Sequence, residues 1–167
     1  MPYDYNNLYP LKLFALYGLL FLFFIISLVK IPIFGADDGR LSFILIGIYF
    51  WTIYRPNLLP YPVIFVCGFL LDLLSGGIVG LNALCFMVIV MIVRNQRRFL
   101  LGQSWPVVWA GYCVAVSVVI FLQYLGYSMA ASQFLPFIPL LFNLIITYLL
   151  YPLVLPLMMF FNRLLFD

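Results

Sequence analysis

Residues 58–93 read LLPYPVIFVCGFLLDLLSGGIVGLNALCFMVIVMIV, and Asp72 is the one charged side chain among them. On either side of Gly76-Gly77 the apolar residues run on without alternating with polar ones. A membrane-spanning β-strand alternates lipid-facing and polar positions over about ten residues, so these runs read as helices. The paired glycines permit a tight reversal between them. The rest of the 167 residues has the same character: 67% are hydrophobic, 20% aromatic and only 8% charged, with a mean hydropathy of +1.20. A soluble domain carries roughly a quarter charged residues. Eight basic and five acidic side chains cannot cover the surface that a globule of this size leaves in water. The expected fold is an all-α integral membrane protein, a compact bundle of six transmembrane helices forming a single transmembrane domain over 1–167.

Working outward, a bilayer core of about 30 Å needs about 20 helical residues, fewer where a helix is short or thins the bilayer. The spans are read at 13–29, 41–54, 58–75, 78–93, 105–127 and 136–161. Lys30 and Pro32 close the first, which is read as a retained anchor because its apolar run exceeds a usual signal core. Arg55-Pro56-Asn57 stops the second. Pro60 and Pro62 fall in the first turns of the third, where proline is tolerated. Residues 94–104 form a polar stretch after the fourth, and Pro152 and Pro156 are expected to kink or break the sixth. Six spans place Lys12, Arg55, Arg94, Arg97, Arg98 and Arg163 on one side, and Lys30, Arg40 and two aspartates on the other. The positive-inside rule then makes both termini cytoplasmic.

Composition excludes several kinds of chemistry. The chain has no histidine and no glutamate, so imidazole-bearing zinc sites and Ser-His or Cys-His nucleophile pairs are absent. Cys67, Cys85 and Cys113 lie inside apolar runs and read as small hydrophobes. The basic residues are dispersed, which is not a nucleic-acid footprint. No cofactor is expected.

The informative positions are polar groups within spans. A carboxylate near the membrane centre costs roughly 2.5–3.5 kcal/mol on insertion scales, which makes Asp72 stand out. Gly68, Asp72, Gly76 and Gly80 recur every fourth residue, and a helix continuing to Gly76 would carry them on one face open to close helix packing. Topology places Asp72 about a turn below the outer surface, where Arg40 could pair with it; the alternative is that Asp72 caps or snorkels at the interface. Asn82, Gln123, Tyr124 and Asn143 fall in the same outer half. They suggest an outward-facing polar pocket or a docking groove, although single amides in membrane helices more often make local interhelical bonds. Asn143, Thr147 and Tyr151 form a stripe expected to face other helices. The group Arg94, Arg97 and Arg98 reads as a topology determinant that touches anionic headgroups, with docking of a cytoplasmic partner as the other reading. Trp51, Tyr54, Tyr61, Trp105, Trp109, Tyr124 and Tyr127, near span ends, read as an aromatic belt.

The segment 68–84, GFLLDLLSGGIVGLNAL, resembles the signature of the bacterial rod shape-determining MreD family, a G-x-x-x-D-L-x-S-G-x-x-x-G-like run between the third and fourth helices. Ile48-Tyr49-Phe50-Trp51 resembles that family's second helix, and the chain length suits it. A proline often found near the start of the second helix is replaced here by Gly39-Arg40-Leu41-Ser42. The resemblance implies a non-enzymatic role in the elongasome of the bacterial inner membrane. It implies binding to MreC and an indirect coupling of MreB filaments to the glycosyltransferase RodA and a class B penicillin-binding protein. It also implies a six-helix arrangement like that of energy-coupling-factor substrate-binding subunits, with Gly68, Asp72, Ser75, Gly76 and Gly80 as the functional segment.

Three functions compete on these residues. A membrane scaffold would use the glycine-lined face around Asp72 to receive a partner helix. A small solute-binding or transport subunit would use the outer group Arg40, Asn82, Gln123 and Asn143 as a ligand pocket. An enzyme is poorly supplied, since Asp72 has no second acid or histidine beside it.

Overall fold

In the computed structural model of the chain, residues 5–29, 43–131 and 137–166 are described. They form α1 (Tyr5–Leu28), α2 (Phe43–Tyr54), a 3-10 turn (Pro56–Leu58), α3 (Tyr61–Ser75), α4 (Leu81–Leu101), α5 (Trp105–Ala131) and α6 (Phe137–Phe166), with no strand among the described residues. Two stretches, Trp105–Ala130 and Leu140–Leu164, are long and apolar enough to cross a membrane by themselves. Leu13–Leu28, Phe43–Tyr54 and Tyr61–Ser75 are apolar but shorter.

The shortest of the six helices is the centre of the molecule. Neighbouring helices meet in the order α1, α3, α4, α5, α6 and back to α1, while α2 packs on α1, α4 and α6. Every residue of α2 from 44 to 53 is buried. A helix apolar on all sides is covered either by lipid or by protein; here the neighbours cover it, and α2, whose twelve residues rise only about 18 Å, is a strut inside a ring of five longer helices. This corrects the belt reading of Trp51, which is fully buried; Tyr124 is buried too. Tyr49 of α2 meets Tyr112 and Tyr151 edge-on, at 5.2 and 5.8 Å between centroids, and its hydroxyl donates to the Val108 carbonyl at 2.9 Å.

Helix ends depart from the apolar runs for identifiable reasons. The third helix begins at Tyr61, not at residue 58, because Pro56 and Pro60 divert the chain through the 3-10 turn. The fourth begins at Leu81, after the reversal, and continues through most of the stretch read as polar to Leu101, with Gly102 as its C-cap. Arginine and glutamine are good helix formers, so the end of the apolar run marks a change of surroundings rather than the end of the helix. Residues 41 and 42, which open the second span as read, lie outside the described residues. The start of α2 is tied to α1, where the Ile44 N–H donates to Ser27 Oγ at 2.9 Å, meeting one donor that a helix N-terminus leaves unpaired.

The sixth helix is not broken: α6 runs through both Pro152 and Pro156. A proline removes the N–H that would bond the carbonyl four residues earlier, which for Pro152 is that of Tyr148. The Trp109 indole N–H of α5 donates to this carbonyl at 3.2 Å. The Tyr148 hydroxyl also meets Ser117 Oγ at 2.5 Å. Neighbouring helices commonly restore backbone partners that proline removes within a membrane.

Candidate functional site

The α3–α4 reversal gathers the residues of the sequence motif, but not on one helix face. The third helix stops at Ser75, and Gly76 is its C-cap at φ +68°. Gly80 stands at φ +92° as N-cap of α4. Both lie in the left-handed region, where a side chain is strained. Gly68 is needed for a different reason, because a Cβ there would lie 2.5 Å from Ala83 Cα and 2.7 Å from Ala83 N. The expected close helix contact therefore exists, but α4 of the same chain fills it. The picture of Gly68, Gly76 and Gly80 as one face open to a partner is corrected by the end of the helix at Ser75.

Asp72 is completely buried, and its carboxylate faces the start of α4. Gly80 N–H donates to Oδ2 at 2.9 Å. Asn82 N–H donates to Oδ2 at 3.0 Å, and Asn82 Nδ2 donates to Oδ1 at 2.7 Å. Gly80 has no side chain with which to cap α4, so the acid of α3 does it. Unpaired amides and the helix dipole both favour a negative group there, and charge-assisted bonds offset part of the cost of burying it. The capping alternative thus describes Asp72, with the cap placed on the next helix. Ser75 Oγ adds a bond to the Asp72 carbonyl at 3.3 Å. Arg40 lies outside the described residues, and so does any pairing with it.

Asn82 passes the network on, since Gln123 Nε2 of α5 donates to its Oδ1 at 2.6 Å. Asp72, Asn82 and Gln123 thereby join α3, α4 and α5. Asn143 is engaged elsewhere, with Thr147 Oγ1 donating to its Oδ1 at 3.3 Å and to its backbone carbonyl at 2.7 Å. Asn82 is 7% exposed and committed on both sides, so it does not line an open polar pocket. A cavity of about 150 Å³ lies between α4 and α5, lined mostly by apolar side chains with Tyr49 and Gln96, and includes none of Asp72, Asn82 and Gln123.

At the opposite end of α4, Arg94 and Arg97 hold a site that residue spacing did not reveal. Arg97 Nε donates to the Ile53 carbonyl at 2.6 Å. Arg94 Nη2 donates to the carbonyls of Leu59, at 2.5 Å, and Pro56, at 3.1 Å, with its guanidinium 4.1 Å from the centre of the Tyr61 ring. The last carbonyls of a helix need donors, and cations suit that end. The available signal was Arg55-Pro56, which stops α2 and frees its carbonyls.

The sequence profile of the rod shape-determining protein MreD matches residues 11–161, nearly the whole chain. The chain belongs to the MreD family. It is accordingly a membrane protein with a role in determining rod shape. In this family member the motif of residues 68–80 is a hairpin built by two left-handed glycines, one close approach and a buried acid. No curated protein and no solved structure was found to match the chain.

Proposed function

We propose that this MreD family member is a non-enzymatic scaffold of the cell-elongation machinery, multi-pass in the bacterial inner membrane with six spans and cytoplasmic termini. In this reading it binds MreC directly and helps couple MreB filaments to RodA and a class B penicillin-binding protein. Family membership supports the shape-determining part, and the asymmetry of basic residues supports the orientation. The ring of five helices around α2 is offered as an arrangement related to energy-coupling-factor substrate-binding subunits.

The observation that carries the scaffold reading is the Asp72 cap. A buried carboxylate whose network through Asn82 and Gln123 joins three helices fixes the shape of a surface and commits the acid to holding α4. Gly68, Asp72, Ser75, Gly76 and Gly80 then act by holding the outer edge of α3, α4 and α5 in one arrangement, and MreC docks on what that edge displays. Gly76→Leu tests this. A Cβ at Gly76 meets nothing within 4 Å, so the variant strains the turn at φ +68° without a clash. The expected result is near-normal expression with reduced co-purification of MreC. Unchanged co-purification would remove the support for this edge as the docking surface.

A further inference from the structure

Among the described residues, no acidic side chain accompanies the arginines at their end of the α3–α4 seam. Arg94 and Arg98 lie one turn apart on one face of α4, and Arg98 is exposed. Arg94 spends one edge of its guanidinium on the carbonyls of Pro56 and Leu59 and its Nε–H is buried, so Arg98 is the guanidinium of the pair that faces outward. Asp72, the one acid among the described residues, sits at the far end of α3. Neighbouring like charges on a helix repel, and an anion at this end would relieve that repulsion.

The seam next to these arginines is apolar and aromatic. Tyr61, stacked under Arg94, is followed a turn at a time by Phe65 and Phe69, whose rings stack at 6.1 Å. All three are between 37% and 47% exposed. On α4, Met91 and Leu84 continue the face of Arg98 and are 63% and 55% exposed. An anion that settles here must be compatible with an apolar strip directly beside it.

We propose that this seam binds an anionic phospholipid, its phosphate on Arg98 beside the Arg94 guanidinium, and an acyl chain along Phe65, Phe69 and Met91. The charge complementarity selects an anion, and the adjoining strip selects one that carries a hydrocarbon tail. A lipid headgroup is therefore the ligand, rather than free phosphate or an acidic protein segment. The site lies at the opposite end of the hairpin from the Asp72 cap and does not depend on MreC binding.

Native mass spectrometry of the full chain in detergent micelles, titrated with phosphatidylglycerol or phosphatidylcholine, tests the proposal. Phosphatidylglycerol should be retained preferentially. A basic residue near a membrane surface is worth about 1 kcal/mol, or about fivefold, so Arg98→Gln should weaken retention by about that factor and Arg98→Lys should preserve most of it. Equal retention of the two lipids, or no effect of Arg98→Gln, would overturn the site. Displacement of phosphatidylglycerol by inorganic phosphate or by polyglutamate at matching concentration would overturn the assignment to a lipid.

Discussion

Asp72 matters because of which donors it faces. Its carboxylate takes the Gly80 amide and both the backbone and side-chain N–H groups of Asn82, so removing it strands three donors in a buried place. Asp72→Leu should cost about 1–3 kcal/mol, read as a lower Tm of the detergent-solubilised protein. Asp72→Asn keeps one acceptor oxygen and turns an amide towards the remaining donors, so its loss should be smaller than that of the leucine variant. Equal Tm values for all three proteins would contradict the cap. That Asp72 is exceptional was legible from its cost inside an apolar run. That it caps α4 was not, because its partners follow eight and ten residues later across two left-handed glycines, where helical periodicity no longer applies.

At the scale of elements, each boundary that moved did so for a backbone reason. The apolar run ending at Val93 marks where the surroundings change, while the α4 hydrogen-bond ladder continues to Leu101. Pro152 removes a donor, and a tryptophan on the adjacent helix replaces it, so α6 continues. This replacement can be measured as a coupling. Trp109→Phe should destabilise the protein by about 0.6 to 1.7 kcal/mol, the span of interhelical bonds in membranes. In a Pro152→Ala background the cost should largely vanish, because Tyr148 regains its intrahelical donor. Additive effects in the double-mutant cycle would show that the indole bond is not compensating for the proline.

For the whole molecule, the ring around α2 explains how a helix of only twelve residues can be apolar on nearly every side: neighbouring helices enclose it. Its ends are met from within: Ser27 Oγ accepts from the first turn, and Arg97 donates to the Ile53 carbonyl at the last. Six spans with cytoplasmic termini predict a definite labelling pattern. A cysteine placed at Gln103, in a background lacking Cys67, Cys85 and Cys113, should react with a membrane-impermeant maleimide in inverted vesicles and not in right-side-out spheroplasts. The opposite pattern would reverse the orientation and place the arginine end outside.

The sequence by itself determined the class of protein, the approximate helices, the MreD resemblance and Asp72 as the polar residue to explain. These are properties of composition and of short-range spacing, and thirteen charges in 167 residues leave little freedom in how such a chain can be solvated. Tertiary structure decided which surfaces are already used. Gly68 packs on Ala83, Asp72 caps α4, Arg94 and Arg97 hold the end of α2, and Trp51 lies in the core rather than at an interface. The physical reason is that a helix apolar on every side presents the same sequence to lipid as to protein. Only the arrangement of the neighbouring helices distinguishes an enclosed strut from a membrane-facing span.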